Sequence, residues 1–317
     1  MKKQNANLAK VVQALADGEY HDGTTIGDKL SITRSAVWKT IERLKSYGVA
    51  VDAVKGKGYA LSEPLILLNA RKIKQSAATD VPLEIFESIA STNDYLRGHS
   101  SKKPLMVCLA EQQTQGKGRL GRTWQSPFGL NLYFSCLYRF EKDVSELAGL
   151  SLVSGLAVAK TLNEFAPGFT VKWPNDVFYQ GDKIAGSLIE VQAESHGACY
   201  AVIGIGVNAN MLQEENITQP FTSLRKITGK MIDRNELCAR LLKHLLADLQ
   251  VFSVSGLSSF MSQWVALDSL TGKTVTLLRA NQSIAGNVSG VNAQGHLLLN
   301  VDGELQAFSS GDVTVKK

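Results

Sequence analysis

The chain has 317 residues, 44% hydrophobic and 20% charged, with 27 Gly, 7 Pro and a formal net charge of +5. Its length is about twice a single domain of roughly 100 to 200 residues, and its composition excludes disordered, collagen-like and disulfide-scaffold classes. No apolar run reaches the roughly 18 residues of a spanning helix, and the basic start MKKQNANLAK has no apolar segment behind it, so a cytoplasmic protein with no membrane partner is expected. Cys108, Cys136, Cys199 and Cys238 lack CxxC spacing and read as small core hydrophobes. The five His residues stand in no ligand spacing, so any metal should arrive with a substrate.

In the first fifth of the chain, Asn7 to Ala16, Thr25 to Leu30 and Thr33 to Tyr47 read as three short helices, with Thr33 as a cap and Gly48 as the stop. Val37, Ile41 and Leu44 give the third helix a buried stripe, whereas Arg34, Ser35, Trp38, Lys39 and Arg43 project elsewhere. Val49 to Val54 and Tyr59 to Leu61 then form a hairpin around Lys55-Gly56-Lys57-Gly58. Helix-turn-helix plus basic hairpin is the winged arrangement, which would set Arg34, Ser35, Lys39 and Arg43 at a DNA groove and Lys55 and Lys57 on phosphates. The competing reading is a small helical domain with a solvated basic face. Trp38 fits either a DNA anchor or helix packing.

Ser62-Glu63-Pro64 marks a boundary. Strands are expected over Glu84 to Ile89, Leu105 to Ala110, Leu130 to Phe140, Phe169 to Lys172, Val177 to Tyr179, Ile184 to Glu190 and Tyr200 to Ile205. Helices are expected over Glu146 to Phe165, capped by Ser145, and from an Asp233/Glu236 capping box to about Phe252. The segment Gly116-Lys117-Gly118-Arg119-Leu120-Gly121-Arg122 satisfies GxGxxG, and Glu141 lies 20 residues beyond Gly121. A dinucleotide motif must open a helix, but here Pro127-Phe128-Gly129 and a strand follow. Three glycines among Lys117, Arg119 and Arg122 instead suit a loop that closes over phosphate. Ser91-Thr92-Asn93, Lys172-Trp173-Pro174-Asn175-Asp176, Lys183 with Gly186, and Gly204 to Asn208 add hydrogen-bonding groups and thin backbone. Together they suit an uncharged ring plus a phosphate, although each alone could be structural. Short strands over Thr274 to Leu278, Ile284 to Val288, His296 to Val301 and Glu304 to Phe308, with turns at Asn281-Gln282, Asn292 to Gly295 and Asp302-Gly303, give a small terminal barrel.

With STN, GKGRLGR, KWPND, KIAG and GIGVN in this order, the chain resembles the bifunctional biotin protein ligases that are also biotin-operon repressors. The resemblance implies an α+β multidomain fold: a winged helix-turn-helix over 1–64, a central mixed α/β, class II-synthetase-like catalytic domain over 65–270, and an SH3-like β-barrel over 271–317. It implies that biotin and ATP, with Mg²⁺, yield biotinoyl-5′-AMP, from which biotin passes to one lysine of a biotin carboxyl carrier protein. The same intermediate would act as corepressor, driving a homodimer onto operator DNA.

By the same resemblance, Ser91, Thr92, Asn93, Gln113, Gly116, Lys117, Lys183, Gly186 and Gly204 would surround biotin. Arg119, Arg122, Trp124, Asn175, Asn208 and Phe221 would meet the nucleotide. Lys183, Arg119 and Lys117 would be catalytic by charge, and Asp176 would orient or take the proton of the acceptor lysine. Lys117 stands where the family commonly has Arg, which replaces a planar fork by a point charge. Phe221 stands where another member may carry Trp. Competing functions are a ligase without DNA binding, a non-catalytic biotin-sensing regulator and a ligase for a related acyl cofactor such as lipoate.

Overall fold

The computed structural model describes residues 2–3, 6–99, 103–194, 197–279 and 282–315. The expected turn at Asn281-Gln282 falls partly outside them, at Asn281. A two-residue strand β1 (Lys2–Lys3) precedes α1 (Ala6–Ala14), α2 (Gly23–Leu30) and α3 (Arg34–Ser46). Asp22 accepts from the Thr24 and Thr25 N–H groups to cap α2, and Thr33 accepts from Ala36 to cap α3. Each cap satisfies first-turn donors that have no partner inside the helix. The turn between α2 and α3 is tight enough that a Cβ on Gly27 would lie 2.7 Å from the Ile32 carbonyl oxygen. Val37, Thr40, Ile41 and Leu44 form the buried side of α3. The antiparallel hairpin β2 (Val51–Val54) and β3 (Gly58–Leu61) follows, and Tyr59 exchanges backbone hydrogen bonds with His21, so this wing lies against the start of α2.

The winged module does not close its core alone. Leu65 and Phe128 join Leu8, Val11, Ile26, Val37 and Leu44 in one cluster, and the Tyr47 ring stacks on Phe128 with centroids 4.6 Å apart and planes at 7°. Beside this stack Arg43 Nη2 lies 2.6 Å from Glu87 Oε2, and the Tyr47 hydroxyl donates to the same oxygen at 3.2 Å. Arg43 was expected at the DNA-facing surface, and the structure corrects this. Nine residues after Arg34, it lies about 180° round the helix, where it neutralises a fully buried carboxylate of the next domain.

That domain opens with α4 (Ala70–Ala77), β4 (Leu83–Ser88), α5 (Thr92–Arg97), β5 (Leu105–Ala110) and β6 (Leu132–Phe140). It continues through α6 (Leu150–Asn163), β7 (Phe169–Lys172), β8 (Asp176–Tyr179), β9 (Asp182–Ala193) and β10 (Cys199–Val207). The strands form one sheet in the order β1-β4-β5-β6-β10-β9-β8-β7, with β4 and β5 parallel. Then come α7 (Leu224–Thr228), α8 (Arg234–Ser255) and α9 (Met261–Leu267).

The segment Val144–Asn163 is long and apolar enough by composition to cross a membrane, but it is core, with 61% of the window buried. It is also two pieces: a 3₁₀ turn over Val144–Leu147 and then α6, which starts after Gly149 at φ 87. Asp143, not the expected Ser145, caps the turn, and it forms a capping box with Glu146. At α8 Asp233 accepts from Asn235, while Glu236 turns to Arg240 instead of completing a box.

A fully buried ion pair joins the start of α8 to β5 and to the chain leaving the winged module. Arg234 Nη2 lies 2.6 Å from Glu111 Oε2 and donates to the Ile66 carbonyl at 2.7 Å, and Nη1 donates to the Asn131 carbonyl at 3.1 Å. The Leu68 N–H donates to Glu111 Oε1 at 2.7 Å. All four cysteines are buried and unbridged; burial pushes the Cys136 thiol up to about 12.

The C-terminal strands β11 (Thr274–Arg279), β12 (Gln282–Val291), β13 (Leu297–Val301), β14 (Glu304–Phe308) and β15 (Asp312–Val315) pair in the order β14-β13-β12-β11-β15. β15 was not anticipated; it pairs with β11 and brings Asp312 back toward the central domain. The Trp173 Nε1–H donates to the Gly295 carbonyl at 2.9 Å, which fastens this small barrel to the end of β7.

Candidate active site

The loops at one end of the central sheet enclose a cavity of about 670 Å³. Four chain segments build its walls. Ser91 is buried and caps α5 by accepting from the Asp94 N–H, so it is both a helix cap and a wall residue. The N–H and hydroxyl of Thr92 donate to Gln113 Oε1 at 2.9 and 3.0 Å, and the Gln113 amide donates to Ser126 Oγ at 3.3 Å. Ser135 on β6, which sequence reasoning did not single out, lies 2.7 Å from Thr92 Oγ1 and 2.6 Å from Asn93 Oδ1. It fixes the polar wall from the sheet side. Its position inside an apolar strand was the available signal.

Glycine is required where this wall meets the sheet. A Cβ on Gly204 would lie 2.3 Å from Asn93 Oδ1, and one on Gly206 would lie 2.4 Å from the Trp124 ring. Gly186 is tight against Asp176 Oδ1 at 2.9 Å. Gly116, expected beside the ligand, does not line the cavity; a Cβ there would strike the Trp124 carbonyl at 2.3 Å. Its role is to let the two limbs of the glycine loop touch. Between them Trp124 N–H donates to the Gly116 carbonyl at 2.9 Å, Gly118 N–H donates to the Arg122 carbonyl at 2.7 Å, and Lys117 pairs with Thr123. The loop is therefore a small hairpin. Arg119–Gly121 forms only one 3₁₀ turn at its tip, with Leu120 at φ 55, so no helix starts on the glycines.

Cations gather opposite the polar wall. Lys183 Nζ lies 2.8 Å from Asp176 Oδ2 and 5.6 Å from the Trp124 ring centroid. Arg119 donates to Asn175 Oδ1 at 3.2 Å and to the Gly311 carbonyl at 3.3 Å, and Arg122 pairs with Asp312. The terminal barrel thus supplies a carboxylate to the cavity, which sequence reasoning missed because Asp312 is 190 residues from Arg122. Lys172 was missed as a charge too: it lies near Asp176, Lys183 and Asp312, and burial pushes its ammonium below the ordinary lysine range. Lys117 pairs with Asp94 at 2.7 Å. Asp176 Oδ1 and Trp124 Nε1 are buried without hydrogen-bond partners. No cluster of three or more His, Cys, Asp or Glu fit to hold a metal occurs among the described residues.

Asn208 and Phe221 close the far end. The Asn208 amide donates to the Thr222 carbonyl at 3.1 Å, and Lys226 Nζ sits 4.0 Å from the Phe221 ring centroid on a site edge bridged to Lys183. The remaining predicted residues lie away from the cavity. Arg34, Ser35 and Lys39 are exposed on α3, Lys55 and Lys57 at the hairpin tip. Trp38 is 52% exposed on α3, which removes the helix-packing alternative.

Comparison with known proteins follows this three-part architecture. Family models match the HTH domain over residues 7–60, the Biotin/lipoate A/B protein ligase family over 85–208 and the Biotin protein ligase C terminal domain over 270–316. The chain is 38% identical to the bifunctional ligase/repressor BirA of Escherichia coli, covering 99% of this chain and 98% of that protein. It is 29% identical to its Bacillus subtilis namesake over 94% of each. Among solved structures, the biotin protein ligase from Aquifex aeolicus in complex with biotin and ATP aligns with a TM-score of 0.65 at 31% identity, over 74% of this chain and 99% of that one. A cavity with a polar wall facing a cluster of cations, a helix-turn-helix ahead of it and full-length identity at this level have one reading: the chain belongs to the family of bifunctional biotin protein ligases and repressors.

Proposed function

We propose that the cavity binds biotin between the Ser91-Thr92-Asn93/Gln113 wall and Lys183, with Gly186 and Gly204 admitting the ring. ATP then lies along Arg119, Arg122, Trp124, Asn175, Asn208 and Phe221. The observation that carries this reading is the convergence of Lys183, Arg119, Arg122 and Lys117 on one side of an otherwise hydrogen-bonding cavity. The biotin carboxylate attacks the α-phosphorus of ATP, the bond to pyrophosphate breaks, and biotinoyl-5′-AMP forms. Two anions must meet, so fixed cations lower the barrier by cancelling charge and aligning the attack. Lys183 holds the carboxylate, and the arginines exchange their contacts with Asp312 and Asn175 for phosphate oxygens.

Magnesium belongs to the substrate, arrives on the phosphates and neutralises their charge. The buried, unpartnered Asp176 Oδ1 is the donor best suited to face it. In the second half, an acceptor lysine of the carrier protein attacks the acyl carbon, AMP leaves, and the lysine proton passes toward Asp176. The exposed face of α3 and the hairpin tip bind operator DNA, with biotinoyl-AMP as corepressor of a homodimer in the cytoplasm.

The test is to incubate the protein with biotin and Mg-ATP without carrier and weigh it by native mass spectrometry. Retained biotinoyl-AMP is expected, with a dimer that binds operator DNA more tightly than the ligand-free protein. Absence of both intermediate and pyrophosphate from folded protein would overturn the catalytic reading. Sedimentation unchanged by the intermediate would overturn the corepressor reading.

A further inference from the structure

We propose that Asp94 is a positioning residue of the ligase site: it holds the ammonium of Lys117 and thereby keeps the glycine loop shut over the biotin end of the cavity before any ligand binds. This rests on the functional reading above. Asp94 stands in the first turn of α5, and its N–H donates to Ser91 Oγ at 3.3 Å. Its carboxylate is therefore fixed to the same turn that presents Ser91, Thr92 and Asn93. Lys117 Nζ lies 2.8 Å from one carboxylate oxygen and 2.7 Å from the other, so both oxygens share the ammonium.

The pair belongs to a chain of charges that is tied down at both ends. Arg97 Nη2 lies 3.0 Å from Asp94 Oδ1, and Arg97 Nη1 lies 2.9 Å from Glu190 Oε1 on β9. Glu190 Oε2 then accepts from the Asn93 amide at 2.9 Å. The series Lys117, Asp94, Arg97, Glu190 and Asn93 begins and ends on residues that line the cavity. Two cations balance two carboxylates, so the clasp adds no net charge at a site that must admit an anion.

The loop itself has little else to hold its first limb. Its internal hydrogen bonds join limb to limb and leave it free to swing as a unit. Arg122 and Asp312 tie the second limb to the barrel, and Lys117 with Asp94 ties the first to the biotin wall. The tip exposes Leu120, 74% accessible at positive φ, and gives no anchorage. A Lys in place of a guanidinium suits this clasp, because its ammonium is a compact charge that one carboxylate can satisfy.

The experiment uses the full-length chain and its Asp94→Asn and Asp94→Glu variants. Limited trypsin digestion of ligand-free protein, read by mass spectrometry, reports opening of the loop through cleavage after Lys117. An ion pair of this exposure shifts an opening equilibrium by about two- to fivefold. Cleavage after Lys117 should therefore rise about two- to fivefold in Asp94→Asn, remain near parent in Asp94→Glu, and converge for all three at 1 M salt. The KM for biotin should rise by a similar factor in Asp94→Asn, with kcat at saturating biotin unchanged.

Unchanged cleavage and unchanged KM in a folded Asp94→Asn protein overturn the proposal. A raised KM with unchanged cleavage overturns it too, because Asp94 would then act on the ligand and not through the loop. If the parent forms no biotinoyl-AMP, the functional reading fails, while the cleavage comparison still tests the clasp.

Discussion

Replacing Arg234 by Met gives the most direct test of what holds the domains together. Both partners of the Arg234–Glu111 pair are fully buried, so the change strands a carboxylate in the core; losing one partner of such a pair costs about 3–5 kcal/mol. The Ile66 and Asn131 carbonyls lose their donors in the same step, which places the expected cost at the upper end of that range. It is a large fraction of the roughly 5–15 kcal/mol that stabilises a typical protein. Because Ile66 and Leu68 lie in the segment leaving the winged module, the damage should also show as lost cooperativity. Urea unfolding followed by far-ultraviolet circular dichroism, and separately by tryptophan fluorescence, should give transitions that coincide in the parent and separate in the variant. A variant that loses less than about 1 kcal/mol, with both probes still superimposed, would refute the reasoning that this pair welds the linker to the core.

Gly204→Ala should raise the biotin KM at least tenfold, because the added methyl meets Asn93 Oδ1 at 2.3 Å; a titration of initial rates checks it. Lys183→Ala should slow biotin-dependent pyrophosphate exchange by about 10²–10³, as expected when a group that stabilises developing charge is removed. Lys39→Ala and Lys57→Ala should each reduce the salt slope of operator binding by about one, whereas Arg43→Ala should leave the slope unchanged and lower stability instead, since Arg43 pairs with Glu87. The hydrogen bond from His244 holds the Glu164 carboxyl below its ordinary value of 4.5. Its contribution is thus complete above that value and is lost as pH falls through the depressed one; in acid unfolding Glu164→Gln should remove that part of the dependence, seen as a shallower stability slope below pH 4.5.

Elements that bury a regular pattern were readable from the residues alone. Alternation marked β5, β6 and β10, and the Val37, Ile41, Leu44 spacing marked α3. Helix α4 escaped because only Ile73 and Ala77 of its eight residues are buried, too few to mark a period. The site motifs were legible because each combines glycine with hydrogen-bonding or charged groups at a strand end. Their partners were not. Arg43 on a recognition helix reads as a DNA contact until a carboxylate 44 residues away is brought against it, and Lys117 reads as a ligand contact until Asp94 claims it. Pairing of charges across the chain is decided by tertiary packing, which leaves no local period to detect.

The shared core between the winged module and the body limits how the two activities can be separated. A truncation just before Leu65 would lay bare Phe128, remove the ring stacked on it and leave Glu87 without its guanidinium. The shortened chain would carry a sticky apolar scar and an orphaned acid on the strand that leads into Ser91. Any loss of ligase activity in such a fragment would then report surgical damage, not communication from DNA. A clean ligase-only form calls for neutralising the exposed cations of α3 and the hairpin tip while the module stays seated as a lid on its neighbour.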